Sequence, residues 1–141
     1  MTQSNVERAE KATRGRAILM ALGAAFLLAS ALLGFGNPPD SAPTVRGGIW
    51  LLQILLFLIL LATGGGLMAS RNMRALMNDE MSLRNRSRAF STGFVVTLLT
   101  ALLIYVVSWS SPIDLRDGIR LITAAGVGGA LLCYAWLEWR D

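Results

Sequence analysis

Four long apolar runs, separated by short polar segments, dominate the chain. An α-helix rises 1.5 Å per residue, so roughly 20 residues cross the ~30 Å hydrocarbon core of a bilayer. None of the four runs has a charged residue at its centre, and they cover about residues 17–35, 48–68, 90–109 and 121–136. The pattern predicts an all-α integral membrane protein, in which a basic tail of residues 1–16 precedes a four-helix bundle of residues 17–141.

Composition excludes several kinds of chemistry. The sequence contains no histidine, so the commonest general base and metal ligand is missing. Its one cysteine, Cys133, lies inside the fourth run, where we interpret it as a small buried apolar side chain. The four apolar runs make up more than half of the chain, and 54% of its residues are hydrophobic. The segments outside the runs are therefore too short for a soluble catalytic domain. We therefore predict no catalytic residues, no metal and no cofactor.

The basic residues indicate how the helices are oriented. The net charge is +4, but the basic residues flank the apolar runs and form no stripe on a soluble fold, which argues against nucleic acid as a partner. The N-terminal tail, the segment between runs two and three and the C-terminal tail hold ten Lys and Arg residues, against three in the other two loops. The positive-inside rule then predicts cytoplasmic N and C termini.

The first run has an alternative interpretation as a signal peptide. Arg14 and Arg16 precede it, and Ala29-Ser30-Ala31 resembles a cleavage site. The run continues to Phe35, however, and exceeds the usual length of a signal-peptide core. We predict a retained helix, and a cleaved one would leave three spans.

Aromatic residues lie near the ends of the predicted spans, where interfacial side chains are common. We interpret Trp50, Trp109, Tyr134, Trp136 and Trp139 as membrane-interface anchors. Glu138 lies among them at the end of span four, and we expect it to be solvated.

Small residues and one amide are candidates for helix packing. Ala17, Ala21, Ala25 and Ala29 recur every four residues in span one, and span four contains three small pairs at the same spacing. The pairs are Ala124 with Gly128, Ala125 with Gly129, and Gly126 with Ala130. Gln53 is the mid-span amide of span two, and we expect it to form an interhelical hydrogen bond. Gly64, Gly65 and Gly66 follow it and predict either a close-packing notch or a hinge.

The segment between spans two and three is the most distinctive polar segment. It contains no Pro or Gly from Arg71 to Arg88, which predicts a tight helical hairpin with Asn78 as an N-cap. Four charged residues then form an acidic tip and a basic ridge: Asp79, Glu80, Arg84 and Arg88. The ridge suits anionic lipid, and the four residues together could also dock a protein partner.

Part of this segment resembles a group of small uncharacterised four-span bacterial inner-membrane proteins. The resemblance rests on Met77-Asn78-Asp79-Glu80 and the following Arg-rich run into Phe90-Ser91-Thr92-Gly93-Phe94. It covers this short stretch of the chain and implies the architecture and a bacterial origin, without an activity.

Two functions remain open at this point. The first is a non-enzymatic structural, regulatory or accessory component of the membrane, with lipids and a membrane-protein partner or a second copy as its contacts. The alternative is a subunit of a small oligomeric transporter or channel, because four helices enclose a path only in an oligomer. The absence of Asp, Glu, Lys and Arg within the spans argues against a proton-coupled or charged-substrate pathway.

Overall fold

The computed structural model describes residues 3–34, 43–64 and 80–140, and these residues contain four helices and no strand. The helices are α1 (Gln3–Leu33), α2 (Pro43–Ala62), α3 (Glu80–Val107) and α4 (Leu115–Arg140). The prediction of an all-α bundle is confirmed. α1 begins within the predicted basic tail, so the tail residues from Gln3 onward are helical and continuous with the first span.

Three of the helices are long and apolar enough to cross a bilayer: Thr13–Leu33 in α1, Leu83–Val107 in α3 and Leu115–Arg140 in α4. The apolar part of α2, Gly47–Ala62, is shorter. These lengths and this composition define a helical membrane protein.

The second predicted span covers about residues 48–68, and its helix, α2, ends at Ala62 in a turn at Thr63 and Gly64. Gly64 has a φ of 60°, the left-handed conformation that commonly follows the end of a helix. Residues 65–79 lie outside the described residues.

The helix α4 occupies the centre of the bundle. It packs along α3 on one side and α1 on the other, with smaller contacts to α2. Its buried residues are mostly small. They form one core cluster around Tyr134 with buried residues of α1, α2 and α3, and a second around Leu27 with buried residues of α1. Small residues suit this central position because helix association in lipid depends on close van der Waals packing.

The packing face of α1 differs from the predicted alanine stripe. Ala17 is buried, but Ala25 and Ala29 are exposed, and the core contains Met20 and Ala24 instead. A four-residue step is longer than one helical turn, so a strict four-residue repeat drifts around the helix. The observed face alternates steps of three and four residues, which keeps side chains facing one neighbour.

Glycines permit the close approach of α3 and α4. A Cβ atom on Gly93 would lie 2.7 Å from the Cβ of Ala130 and 2.9 Å from the carbonyl oxygen of Gly126. One of the predicted small pairs, Gly126 and Ala130, therefore lies at this crossing. Gly93, which was not among the predicted packing residues, is the residue of α3 that contacts this pair.

Candidate functional site

A buried ion pair joins the beginning of the span in α1 to the end of α4. The Nη2 atom of Arg16 lies 2.9 Å from Oε2 of Glu138, and the two side chains are 12% and 5% exposed. Glu138 follows Tyr134 by one helical turn and therefore lies on the buried side of α4. The expectation that Glu138 is solvated was wrong, because its position on the packed face of the helix removes it from solvent.

The C-terminal end of α2 lies beside this ion pair. Thr63 and Gly64, which follow the helix, donate hydrogen bonds to carbonyls of its last turn. The hydroxyl of Thr63 donates to the carbonyls of Ile59, at 2.8 Å, and Leu60, at 3.3 Å. The N–H of Gly64 donates to the carbonyl of Leu61 at 3.2 Å. Carbonyls at a helix end have no partner within the helix, and hydrocarbon offers none, so these bonds matter in a membrane protein.

Two arginines from other helices bond the last carbonyls of this turn. Nη1 of Arg86, in α3, donates to the carbonyl of Ala62 at 2.6 Å. Nη1 of Arg16, in α1, donates to the carbonyl of Gly64 at 3.3 Å. The C-terminal end of a helix carries a partial negative charge, which favours both guanidinium groups. Arg16 therefore bridges the end of α2 and the carboxylate of Glu138.

We call Arg16, Gly64, Arg86, Tyr134 and Glu138 the Glu138 cluster. Tyr134 is fully buried, and its hydroxyl would lie 3.2 Å from a Cβ atom on Gly64. Gly64 is buried as well, so both conformation and space favour glycine there. The cluster contains two positive charges and one negative charge, and it joins all four helices at one end of the bundle.

A simpler contact of the same kind lies at the opposite end. Nη1 of Arg120, in α4, donates to the carbonyl of Gly34 at 3.3 Å, just beyond the end of α1. A Cβ atom on Gly34 would lie 2.8 Å from this Nη1 atom. Arginines thus bond backbone carbonyls at the ends of both α1 and α2. Each arginine lies on a helix other than the one whose end it bonds.

The predicted docking residues are only partly described. Arg84 and Arg88 are exposed on α3, and α3 begins at Glu80, whose side chain is outside the described part. Asp79 and Asn78 lie outside the described residues. Among the arginines of this segment whose side chains are described, Arg86, between the two exposed ones, donates to a carbonyl of α2.

The predicted packing residues have clearer positions. Nε2 of Gln53 lies 3.4 Å from Oγ of Ser30 in α1, which is the expected interhelical hydrogen bond at long distance. Ala125 and Gly129 are half-buried, and a Cβ atom on Gly129 would lie 3.3 Å from Val96 of α3. Gly65 and Gly66 lie outside the described residues. Gly64 is the one described residue of the predicted glycine segment, and it lies in a turn within the Glu138 cluster.

The interface aromatics divide into two groups. Trp109, Trp136 and Trp139 are exposed, whereas Tyr134 is buried in the core. The interpretation of Tyr134 as an interface anchor was therefore wrong, because it lies on the same face of α4 as Glu138. Among the described residues, the indole N–H of half-buried Trp50 has no hydrogen-bond partner, and neither has the Nε atom of Arg16.

The Glu138 cluster was not predicted from the sequence, although one signal was present. Glu138 is four residues after Tyr134 and seven after Leu131, a spacing that puts all three on one side of a helix. Arg16 and Arg86 gave no comparable signal, because each was one of several neighbouring arginines.

The described residues contain no group of three or more His, Cys, Asp or Glu side chains that could hold a metal ion. Cys133 is half-buried, and its Sγ lies 3.4 Å from Oγ1 of Thr92 in α3. In comparisons with known proteins, no family model, no curated protein and no solved structure matches the chain.

Proposed function

We propose that the protein is a non-enzymatic component of the bacterial inner membrane, with a structural, regulatory or accessory role. The observation that carries the proposal is how the buried and half-buried charges in the described part of the chain are bonded. Arg16 and Glu138 bond each other, and Arg16, Arg86 and Arg120 bond helix ends. These groups hold the helices together, which is the role expected of polar groups in a scaffold.

The proposed topology has both termini in the cytoplasm. Its support is the excess of basic residues in the N-terminal tail and between the second and third apolar runs. The Glu138 cluster then lies toward the cytoplasm, and Arg84 and Arg88 are exposed beside it. Exposed arginines at this surface attract anionic lipid at about 1 kcal/mol each, and they are also available to a protein partner.

The first experiment is purification of the protein in mild detergent from cells that express it at native level. Mass determination of the intact complex and identification of its components follow. An accessory role predicts a partner in fixed stoichiometry. The double substitution Asp79→Lys and Glu80→Lys should reduce its recovery, whereas Asp114→Lys, at an exposed position near the other end of the bundle, should not. Unchanged recovery after the double substitution would remove the acidic tip from the docking surface.

The second candidate function is a subunit of a small oligomeric transporter or channel. The buried pair of Arg16 and Glu138 is the observation that favours it, since charged groups inside membrane bundles often line pathways for ions or substrates. This candidate predicts a homo-oligomer without a separate partner. It also predicts a solute flux in proteoliposomes that Glu138→Gln reduces.

A further inference from the structure

The two ends of the bundle are marked by polar contacts between helices. At one end, the Glu138 cluster links α1, α3 and α4 around the end of α2. At the other end, Arg120 of α4 bonds the carbonyl of Gly34, just beyond α1. We call these positions the Glu138 level and the Arg120 level.

The helices α1 and α4 give the same separation between the two levels. The step along α1 from Arg16 to Gly34 contains as many residues as the step along α4 from Arg120 to Glu138. At 1.5 Å per residue, each of these separations corresponds to about 27 Å along the helix. The agreement is expected if both levels are planes that cross the whole bundle.

The helix α3 provides a third estimate of this separation. Ile104 lies near the Arg120 level, because its Cγ2 atom would be 3.7 Å from a Cβ atom on Gly118. The step from Arg86, at the Glu138 level, to Ile104 contains the same number of residues, which is again about 27 Å along a helix.

The surface between the two levels is mostly apolar, with a few exposed hydroxyl side chains on α3. Its exposed large side chains on α1 and α2 are Ile, Leu and Phe residues, among them Leu22, Phe26 and Leu55. Arg88 is the one charged residue between the levels among the residues whose side chains are described. It lies only two residues from Arg86, and a long arginine side chain can extend its charged group from there to the headgroups.

Exposed aromatic side chains mark the same two levels independently. Trp136 and Trp139 flank Glu138 and are 69% and 75% exposed. Tyr105 on α3 and Trp109, two residues beyond its end, follow Ile104, are also exposed, and pack edge to face with ring centres 5.5 Å apart. Tryptophan and tyrosine concentrate where hydrocarbon meets headgroups.

We infer that the surface between the two levels is covered by the acyl chains of a bilayer with a hydrocarbon core about 27 Å thick. The partner is lipid, and its hydrocarbon core is thinner than the ~30 Å average. Phosphate headgroups then contact the Glu138 and Arg120 levels. The inference goes beyond the proposed function, since it depends on residence in a membrane and on neither proposed role.

Spin labels at single cysteines test the position of the levels. The background is Cys133→Ser, and labels are attached at Ala25→Cys and Val95→Cys, exposed positions halfway between the levels on α1 and α3. Leu33→Cys, next to the Arg120 level, is the matched shallow control. Both midway labels should lie at the same depth at the bilayer centre, and the control should lie about 12 Å shallower.

A depth difference between the midway labels of more than one helical turn, about 5 Å, would overturn the inference. So would a label at Ala25 in the headgroup region. Depth is read from collisions with oxygen and with a water-soluble relaxation agent. Retention of the wild-type unfolding midpoint shows that each labelled variant is folded.

A thickness series provides a second measurement that needs no substitution. The wild-type protein is reconstituted in phosphatidylcholine vesicles whose hydrocarbon cores range from about 23 to about 35 Å. Resistance to unfolding should be greatest at a core thickness of about 27 Å, because hydrophobic mismatch costs free energy on either side. A maximum at cores of about 33 Å or more, or no maximum, would contradict the inference.

Discussion

Substitution of Glu138 by alanine tests whether the buried ion pair holds the bundle together. In Glu138→Ala, the guanidinium of Arg16 keeps its bond to the carbonyl of Gly64 but loses the carboxylate 2.9 Å away. Because the Arg16 side chain is only 12% exposed, solvent cannot replace this partner fully. The substitution therefore leaves a charge in the protein interior with too few partners.

The expected loss in the free energy of unfolding is about 3 kcal/mol. Removing one partner of a buried ion pair costs about 3–5 kcal/mol, and the remaining bond of Arg16 puts this variant at the lower limit. Arg16→Met should cost a similar amount. The double variant Arg16→Met, Glu138→Leu should lose less than either single variant, because neither charge remains and apolar side chains of similar volume fill the space.

The assay is reversible unfolding in mixed micelles, with helix content followed by circular dichroism as the fraction of denaturing detergent increases. Glu138→Gln retains an oxygen that accepts a hydrogen bond, so its loss should be intermediate, about 1–2 kcal/mol. The control is Arg84→Ala, at an exposed arginine on α3, which should remain within about 0.5 kcal/mol of wild type.

Two results would refute this reasoning. Single substitutions at Arg16 and Glu138 that each cost less than about 0.5 kcal/mol would give the pair the energy of a solvent-exposed salt bridge. Losses that simply add in the double variant would show that the two charges do not depend on each other.

Three further substitutions test the packing contacts in the same unfolding assay. Gly93→Ala should lower the free energy of unfolding by about 1–3 kcal/mol, because the new Cβ would press on Ala130 and force α3 away from α4. The control, Gly48→Ala, is at an open position and should be neutral or stabilising. Equal effects of the two substitutions would refute the close crossing. Gly64→Ala should cost about 1–2 kcal/mol, because alanine disfavours a φ of 60°, and an unchanged midpoint would show that the turn has another conformation. Gln53→Leu should cost about 0.6 kcal/mol or less, since its hydrogen bond is long, and a loss above about 2 kcal/mol would give the amide a larger role.

Much of the architecture follows from the apolar runs. An uncharged run of about 20 residues in hydrocarbon forms a helix, because a helix bonds its backbone groups within the segment and a membrane β-strand is only about half as long. The spans in α1, α3 and α4 were predictable for this reason. The C-terminal end of α2 was not predictable, because the apolar run continues past Ala62 to Met68. Composition alone does not show where a backbone turn interrupts such a run.

The sequence by itself determined the fold class, the approximate spans and the residue types available for chemistry, because run length and composition are local properties of the chain. Only the tertiary structure decided which of the arginines Arg84, Arg86 and Arg88 contacts α2. Neighbouring members of this set are two residues apart, so their side chains lie about 200° apart around the helix axis. The rotation of α3 about its axis therefore decides which arginine faces α2. That rotation depends on the contact of Gly93 with α4. The same long-range packing buries Glu138 against Arg16, which lies far earlier in the chain, and this pairing cannot be read from either neighbourhood alone.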